Sequence, residues 1–105
     1  MALIAVCRVD EVPEAKALCR NLPDGLQIAL ARVADAPGRF VAFENRCPHY
    51  SAPIGMGRIK DGVVTCPWHF FRFDIRSGEA VGLPSTMRLR MFPTLVNEQQ
   101  IYIHV

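Results

Sequence analysis

A chain of 105 residues has room for one hydrophobic core and not for two. Half of its residues are apolar, yet no apolar run approaches the ~20 residues needed to cross a bilayer, which excludes a membrane-spanning helix. The formal charge of +2 rests on ten arginines and two lysines spread along the chain, so no basic tract marks a nucleic-acid surface.

The first segment, Met1-Ala2-Leu3-Ile4-Ala5-Val6, is apolar but lacks a basic lead-in and is too short for a signal peptide. It reads as a first strand over residues 2–8, and a cytoplasmic protein is expected. Pro13 then interrupts any ladder within Glu11-Val12-Pro13-Glu14. Strands over residues 16–22 and 26–34 flank Pro23-Asp24-Gly25, a strong hairpin turn. Asp35-Ala36-Pro37-Gly38 is the next turn and residues 40–44 the next strand. Lys60-Asp61-Gly62 turns the chain into Val63-Val64-Thr65. Strands over 71–75 and 87–92 stand on either side of a Ser77-Gly78 turn, and a closing hairpin around Asn97-Glu98 leads into residues 101–105. No window of a dozen residues keeps a helical apolar stripe. Short strands at this spacing predict an all-β sandwich or barrel.

Two cysteine–histidine pairs interrupt the strand pattern. Cys47-Pro48-His49 and Cys66-Pro67-Trp68-His69 are separated by sixteen residues and use two of the four cysteines and two of the three histidines. A thiolate and an imidazole at each of two loop tips make a four-ligand metal site. Structural zinc can take two of each, but its ligands usually come as a cysteine pair and a histidine pair. Here each loop is mixed. A single residue between Cys47 and His49 starts both side chains on the same side of an extended chain. Mononuclear zinc can be built from such a set. A binuclear centre suits it better, because each loop can then give its thiolate to one iron and its imidazole to the other. In the Rieske arrangement two histidines replace two cysteines on one iron of a 2Fe–2S centre.

Cys-x-His, sixteen residues, then Cys-x-x-His resembles the signature of the Rieske family position for position. Pro53-Ile54, Arg72-Phe73-Asp74, Ser77-Gly78-Glu79 and Leu83-Pro84 also look like the surroundings of a Rieske cluster. The likeness is good over residues 40–95 and holds in outline elsewhere. It implies one domain over residues 1–105 with a Rieske-type fold: two antiparallel sheets and a small cluster-binding subdomain at about 45–75. It also implies one 2Fe–2S cluster, with Cys47 and Cys66 on the inner iron and His49 and His69 on the outer one. The outer imidazole edges would then be the electron's way in and out. Cys7 and Cys19 are left over, and a reducing cytoplasm favours buried free thiols over a disulfide.

Two positions depart from the family pattern, since Ser51 and Phe70 stand where glycine is usual. Glycine allows positive φ and close backbone approach, so the loop geometry is affected while the ligands stay. High-potential members of respiratory chains carry two extra cysteines and a serine and a tyrosine hydroxyl after the second histidine. Ala52, Trp68, Phe71 and Phe73 stand at those positions here. Without the hydroxyl donors the reduced cluster is less stabilised, and a potential near the low end of the Rieske span, about −150 mV, is expected. Around the ligands, Tyr50, Ile54, Trp68, Phe70, Leu83 and Pro84 form an apolar group. Ile54 and Leu83 read as core, and Trp68, Phe70 and Pro84 read equally as core or as a docking surface.

A complete Rieske oxygenase needs a second iron held by two histidines and a carboxylate, and only His104 remains for it. There is no glycine-rich nucleotide fingerprint either. The resemblance therefore implies an electron carrier and not an enzyme: a stand-alone Rieske ferredoxin passing single electrons from a flavin-dependent reductase to a terminal oxygenase that hydroxylates aromatic rings. A second reading is the small subunit of an assimilatory nitrite reductase, which Gly78-Glu79-Ala80-Val81-Gly82 resembles. A third is a detached Rieske domain serving another flavin reductase, on the likeness of Cys47-Pro48-His49-Tyr50 and Ala52-Pro53. A redox-silent module with structural zinc would belong to a different class.

Overall fold

Alternating burial along short segments organises the chain in a computed structural model that describes residues 3–33, 40–48, 52–68, 71–82 and 87–105. Eleven strands lie among these residues. One sheet joins β1 (Leu3–Arg8), β11 (Gln100–His104) and β10 (Thr94–Asn97) in that order. A second has the order β2 (Leu18–Asn21), β3 (Gln27–Arg32), β4 (Phe40–Glu44), β9 (Met91–Phe92). The third runs β5 (Ile59–Lys60), β6 (Val63–Thr65), β7 (Arg72–Asp74), β8 (Ala80–Val81). Every pairing is antiparallel.

The second sheet is the middle layer. Along β3 four consecutive residues are buried, and their parity divides them between two cores. Ile28 and Leu30 face Ile101 and Ile103 of β11 together with Cys7 of β1. Ala29 and Ala31 face the opposite way, toward Ile59, Val64 and Phe73 of the third sheet. β4 repeats the division, with Phe40 and Ala42 on the first side and Phe43 on the second. A run buried on both faces is what a central strand requires, and it explains why the stretch around Ile28 shows no polar alternation. A bulge between Ala5 and Cys7 turns Cys7 into the first core.

Turn chemistry sets the registers. Gly25 has φ +89° and closes the β2–β3 loop with its N–H donating to the Leu22 carbonyl at 3.0 Å. Asp61 (φ 52°) and Gly62 (φ 76°) make the two-residue loop between β5 and β6. Arg32 ties the short helical turn Val9–Glu11 to β3. Its Nε donates to the Val12 carbonyl at 2.8 Å and its Nη2 to that of Val9 at 2.7 Å, while its guanidinium lies over the Phe40 ring. No helix among the described residues is long and apolar enough to cross a membrane.

Several boundaries differ from those expected. The strand expected at 87–92 is only Met91–Phe92, preceded by an isolated bridge between Glu79 and Arg88. β5 and β8 are two-residue strands too short to show a period. The Asp35-Ala36-Pro37-Gly38 turn lies outside the described residues.

The β10–β11 loop holds two non-glycine residues at positive φ, Glu98 at 51° and Gln99 at 68°. Such a loop favours asparagine followed by glycine, which meet less steric resistance there. Glu98→Asn with Gln99→Gly should raise stability by about 1 kcal/mol. Urea unfolding monitored at Trp68 would show it as a higher midpoint at unchanged slope.

Candidate metal centre

β4 delivers the first loop. Past Glu44, the Asn45 N–H donates to the Gln27 carbonyl at 2.9 Å, and its side-chain Oδ1 accepts from the Gly55 N–H at 2.7 Å. That second bond fastens the helical turn Ile54–Met56 to the end of β4. β6 delivers the second loop, since Cys66 directly follows Thr65.

The two loops close in the same way. The Cys47 N–H donates to the Ala52 carbonyl at 2.7 Å, and the Cys66 N–H donates to the Phe71 carbonyl, also at 2.7 Å. Each bond spans five residues and encloses four, among which His49 and His69 fall. The sequence motifs conceal this equivalence, because one has one residue and the other two between cysteine and histidine.

Both cysteines are withdrawn from solvent, Cys47 at 1% and Cys66 at 0% exposure. They share the second core with Ala52, Ile54, Phe73 and Ile75. The residues that follow them, Pro48, Pro67 and Trp68, are exposed, with Trp68 at 60%. The chain therefore places two thiols in the core and lifts each loop tip immediately to the surface. Ile54 is core, as expected, and Phe73 is buried with it, while Phe71 is half-buried. His49, Tyr50, Ser51, His69, Phe70, Leu83 and Pro84 lie outside the described residues. Among the described residues no group of three or more cysteine, histidine or carboxylate side chains is arranged to hold a metal ion.

Cys7 and Cys19 are free thiols in different cores, Cys7 between the first two sheets and Cys19 against the side that holds Cys47 and Cys66. Burial pushes both thiols up. Glu11 adds to this at Cys7, and Arg20 opposes it at both. Each remains a protonated, small apolar side chain.

Three positioning features escaped the sequence. Asn45 is polar and adjacent to a ligand loop, a signal too common to single out. A Cβ added at Gly57 would collide with the Thr65 carbonyl oxygen, so glycine lets the helical turn pass close to the strand leading into Cys66. Its φ of −75° shows that space, and not backbone conformation, is the requirement. Met56 is 73% exposed beside Cys66 and Pro67.

Comparison with known proteins agrees with this geometry. A family model described as the Rieske [2Fe-2S] domain matches residues 2–93. The ferredoxin component of the p-cumate 2,3-dioxygenase system of Pseudomonas putida is 38% identical over 104 residues, covering 98% of this chain and 86% of that protein. A solved chain from the complex of reduced oxygenase and oxidized ferredoxin in carbazole 1,9a-dioxygenase superposes with a TM-score of 0.85 at 27% identity, covering 96% of this chain and 100% of its own. A putative NADH-dependent nitrite reductase small subunit from Mycobacterium tuberculosis superposes at 0.83, but at 24% identity it shares the fold alone.

Substitutions at Gly57, Phe71 and Phe73 probe the centre. Gly57→Ala should loosen the Ile54–Met56 turn from Thr65 and lower stability by about 1–3 kcal/mol, the usual cost of overpacking. Iron retained per chain after gel filtration should fall with it. Phe73→Tyr, alone or with Phe71→Ser, should raise the reduction potential, because hydroxyl donors gain strength as reduction adds negative charge to the sulfurs. Each 1.4 kcal/mol of preferential stabilisation moves a one-electron potential by about 59 mV, so a rise of several tens of millivolts is expected in film voltammetry.

Proposed function

This chain belongs to the Rieske [2Fe-2S] domain family, and on that footing we propose that it is a ferredoxin carrying single electrons from a flavin-dependent reductase to a terminal, ring-hydroxylating oxygenase. It is an electron-transfer component and not a complete enzyme. The observation that carries the reading is the pair of identically closed loops, each with a buried thiol at its base and an exposed tip, in a chain 38% identical to a dioxygenase ferredoxin over nearly its whole length.

Its cofactor is one Rieske-type 2Fe–2S cluster. When bound, the cluster supplies a one-electron centre whose two irons differ in charge because one has thiolate and the other imidazole ligands. The donor set fits it. Cys47 and Cys66 would hold the inner iron from within the apolar core, which keeps water from the thiolates. His49 and His69, one on each enclosed loop, would hold the outer iron. Burial and the net charge of the ligand set, together with hydrogen bonds to the sulfurs, fix the potential. With Phe73 and Phe71 supplying no hydroxyl, that potential sits low, as suits a donor to an oxygenase. Trp68 is exposed beside the second loop and would meet the partner, and Phe70 and Pro84 are placed with it on sequence grounds. We treat residues 1–105 as one domain with its cluster-binding part at about 45–75. Residues 1–105 carry no nucleotide fingerprint, which supports a separate flavin reductase, and we place that exchange in the cytoplasm.

Protein purified anaerobically should be red-brown and carry about two irons and two acid-labile sulfides per chain. Its reduced EPR signal should show the lowered average g-value of mixed histidine and cysteine ligation. Stoichiometric zinc without sulfide would overturn the assignment. Added to the reductase and oxygenase components of a ring-hydroxylating dioxygenase, the chain should restore product formation. Trp68→Ala should slow electron delivery to the oxygenase several-fold while leaving dithionite reduction, iron content and potential as they were.

A further inference from the structure

The formal charge of the molecule is concentrated in one part of it. Residues 45–82 hold Arg46, Arg58, Lys60, Arg72 and Arg76 against Asp61, Asp74 and Glu79, while the rest of the chain has seven basic and seven acidic residues. Two of the three acids are already engaged, Asp74 with Arg76 at 3.2 Å and Glu79 with Arg88 at 3.0 Å. Arg58, Lys60 and Arg72 are exposed and form no ion pair among the described residues.

Register places these three cations on one surface. Ile59, Val64 and Phe73 are paired across β5, β6 and β7 and point into the core, so Lys60, Thr65 and Arg72 point out. Thr65 pairs with Arg72, and its N–H donates to the Arg58 carbonyl at 3.0 Å, which brings Arg58 into the same row. A shallow depression lined by Arg58, Lys60, Asp61, Val63, Thr65 and Arg72, three cations against one carboxylate, adjoins a more apolar one lined by Met56, Arg58, Thr65, Cys66 and Pro67. Met56 and Trp68 are the two most exposed large apolar side chains among the described residues; Met56 lines that apolar end, and Trp68 follows its Pro67 in the chain. A cationic row therefore runs directly into an apolar patch over one of the buried thiols.

We infer that this composite surface is the docking face for the terminal oxygenase, and that the oxygenase meets it with carboxylates grouped beside an apolar centre. The inference rests on the ferredoxin reading above. The excess of three cations over Asp61 selects the sign of the partner's charge and raises the encounter rate over about a Debye length. The apolar end supplies contact without fixed charge, which suits a small, quickly released interface. Division of labour follows from the geometry: Arg58, Lys60 and Arg72 guide the approach, and Met56 and Trp68 set the contact closest to Cys66.

The test uses Arg58→Glu/Lys60→Glu/Arg72→Glu, its neutral counterpart with glutamine at the same three positions, and Met56→Ser. Iron, sulfide and potential are measured first, and a parent chain without a 2Fe–2S cluster would refute the ferredoxin reading independently of the docking face. Dithionite-reduced protein is then mixed with hexacyanoferrate(III), an anionic oxidant, across a range of salt. The parent rate should fall as salt rises, and the glutamate variant should start about tenfold lower and lose or reverse that trend. The glutamine variant should fall between them, and it stands in if the glutamate variant does not retain its cluster. Met56→Ser should leave this rate unchanged. With the oxygenase that turns over in the reconstitution above, the charge variants and Met56→Ser should all be slowed. Parent-like oxygenase rates in the charge variants, or slowing confined to reduction by the reductase, would overturn the proposal.

Discussion

The middle sheet has to satisfy two cores at once, and the rest of the molecule depends on how it does so. Large side chains at Ile28, Leu30 and Phe40 fill the space toward β1 and β11, whereas the opposite face of β3 presents only Ala29 and Ala31. The small side chains leave room for the helical turn Ile54–Met56 and for the thiols that pack above it. A Cβ at Gly55 would meet Ala29, Cys19 and the Asn45 oxygen all within 3 Å, which shows how closely that turn is laid down. Slipping β3 by one residue would exchange the two faces and leave neither core fillable.

Cys47 and Cys66 are thus core residues before they are ligands. Their backbones are fixed by matching hydrogen bonds and their side chains by packing against Ile54 and Phe73. A redox centre gains from such fixity, because donor geometry that is set in advance need not reorganise when charge changes. The same packing that holds the two cysteines in place also withdraws them from solvent.

Much of this was legible in the residues and some was not. The ligand motif could be read because four rare side chains at fixed spacing carry chemistry that no packing pattern imitates. Strand β4 and the turns at Gly25, Asp61-Gly62 and Gly78 were legible because positive φ has few solutions in sequence. The pairing of short strands was not: β5 and β8 have two residues each and exist only because β6 and β7 offer them partners. The strand expected over 87–92 shrank to two residues because only Met91 and Phe92 pair with β4, at Phe43 and Ala42, while Arg88 makes a single bridge to Glu79. The twin closure of the ligand loops was hidden by their unequal motifs, and the cationic row by distance along the chain between Arg58 and Arg72.

The connection between β4 and β9 bears on how a substitution in either ligand loop is felt. These strands are direct neighbours in the middle sheet, yet both ligand loops and the whole third sheet are inserted between them. The core shared with β1 and β11 contains no ligand cysteine. It packs Ile28 and Leu30 against Ile101 and Ile103 without drawing on the inserted lobe, so a substitution in either ligand loop strains one face of the middle sheet and leaves the packing of the other unchanged.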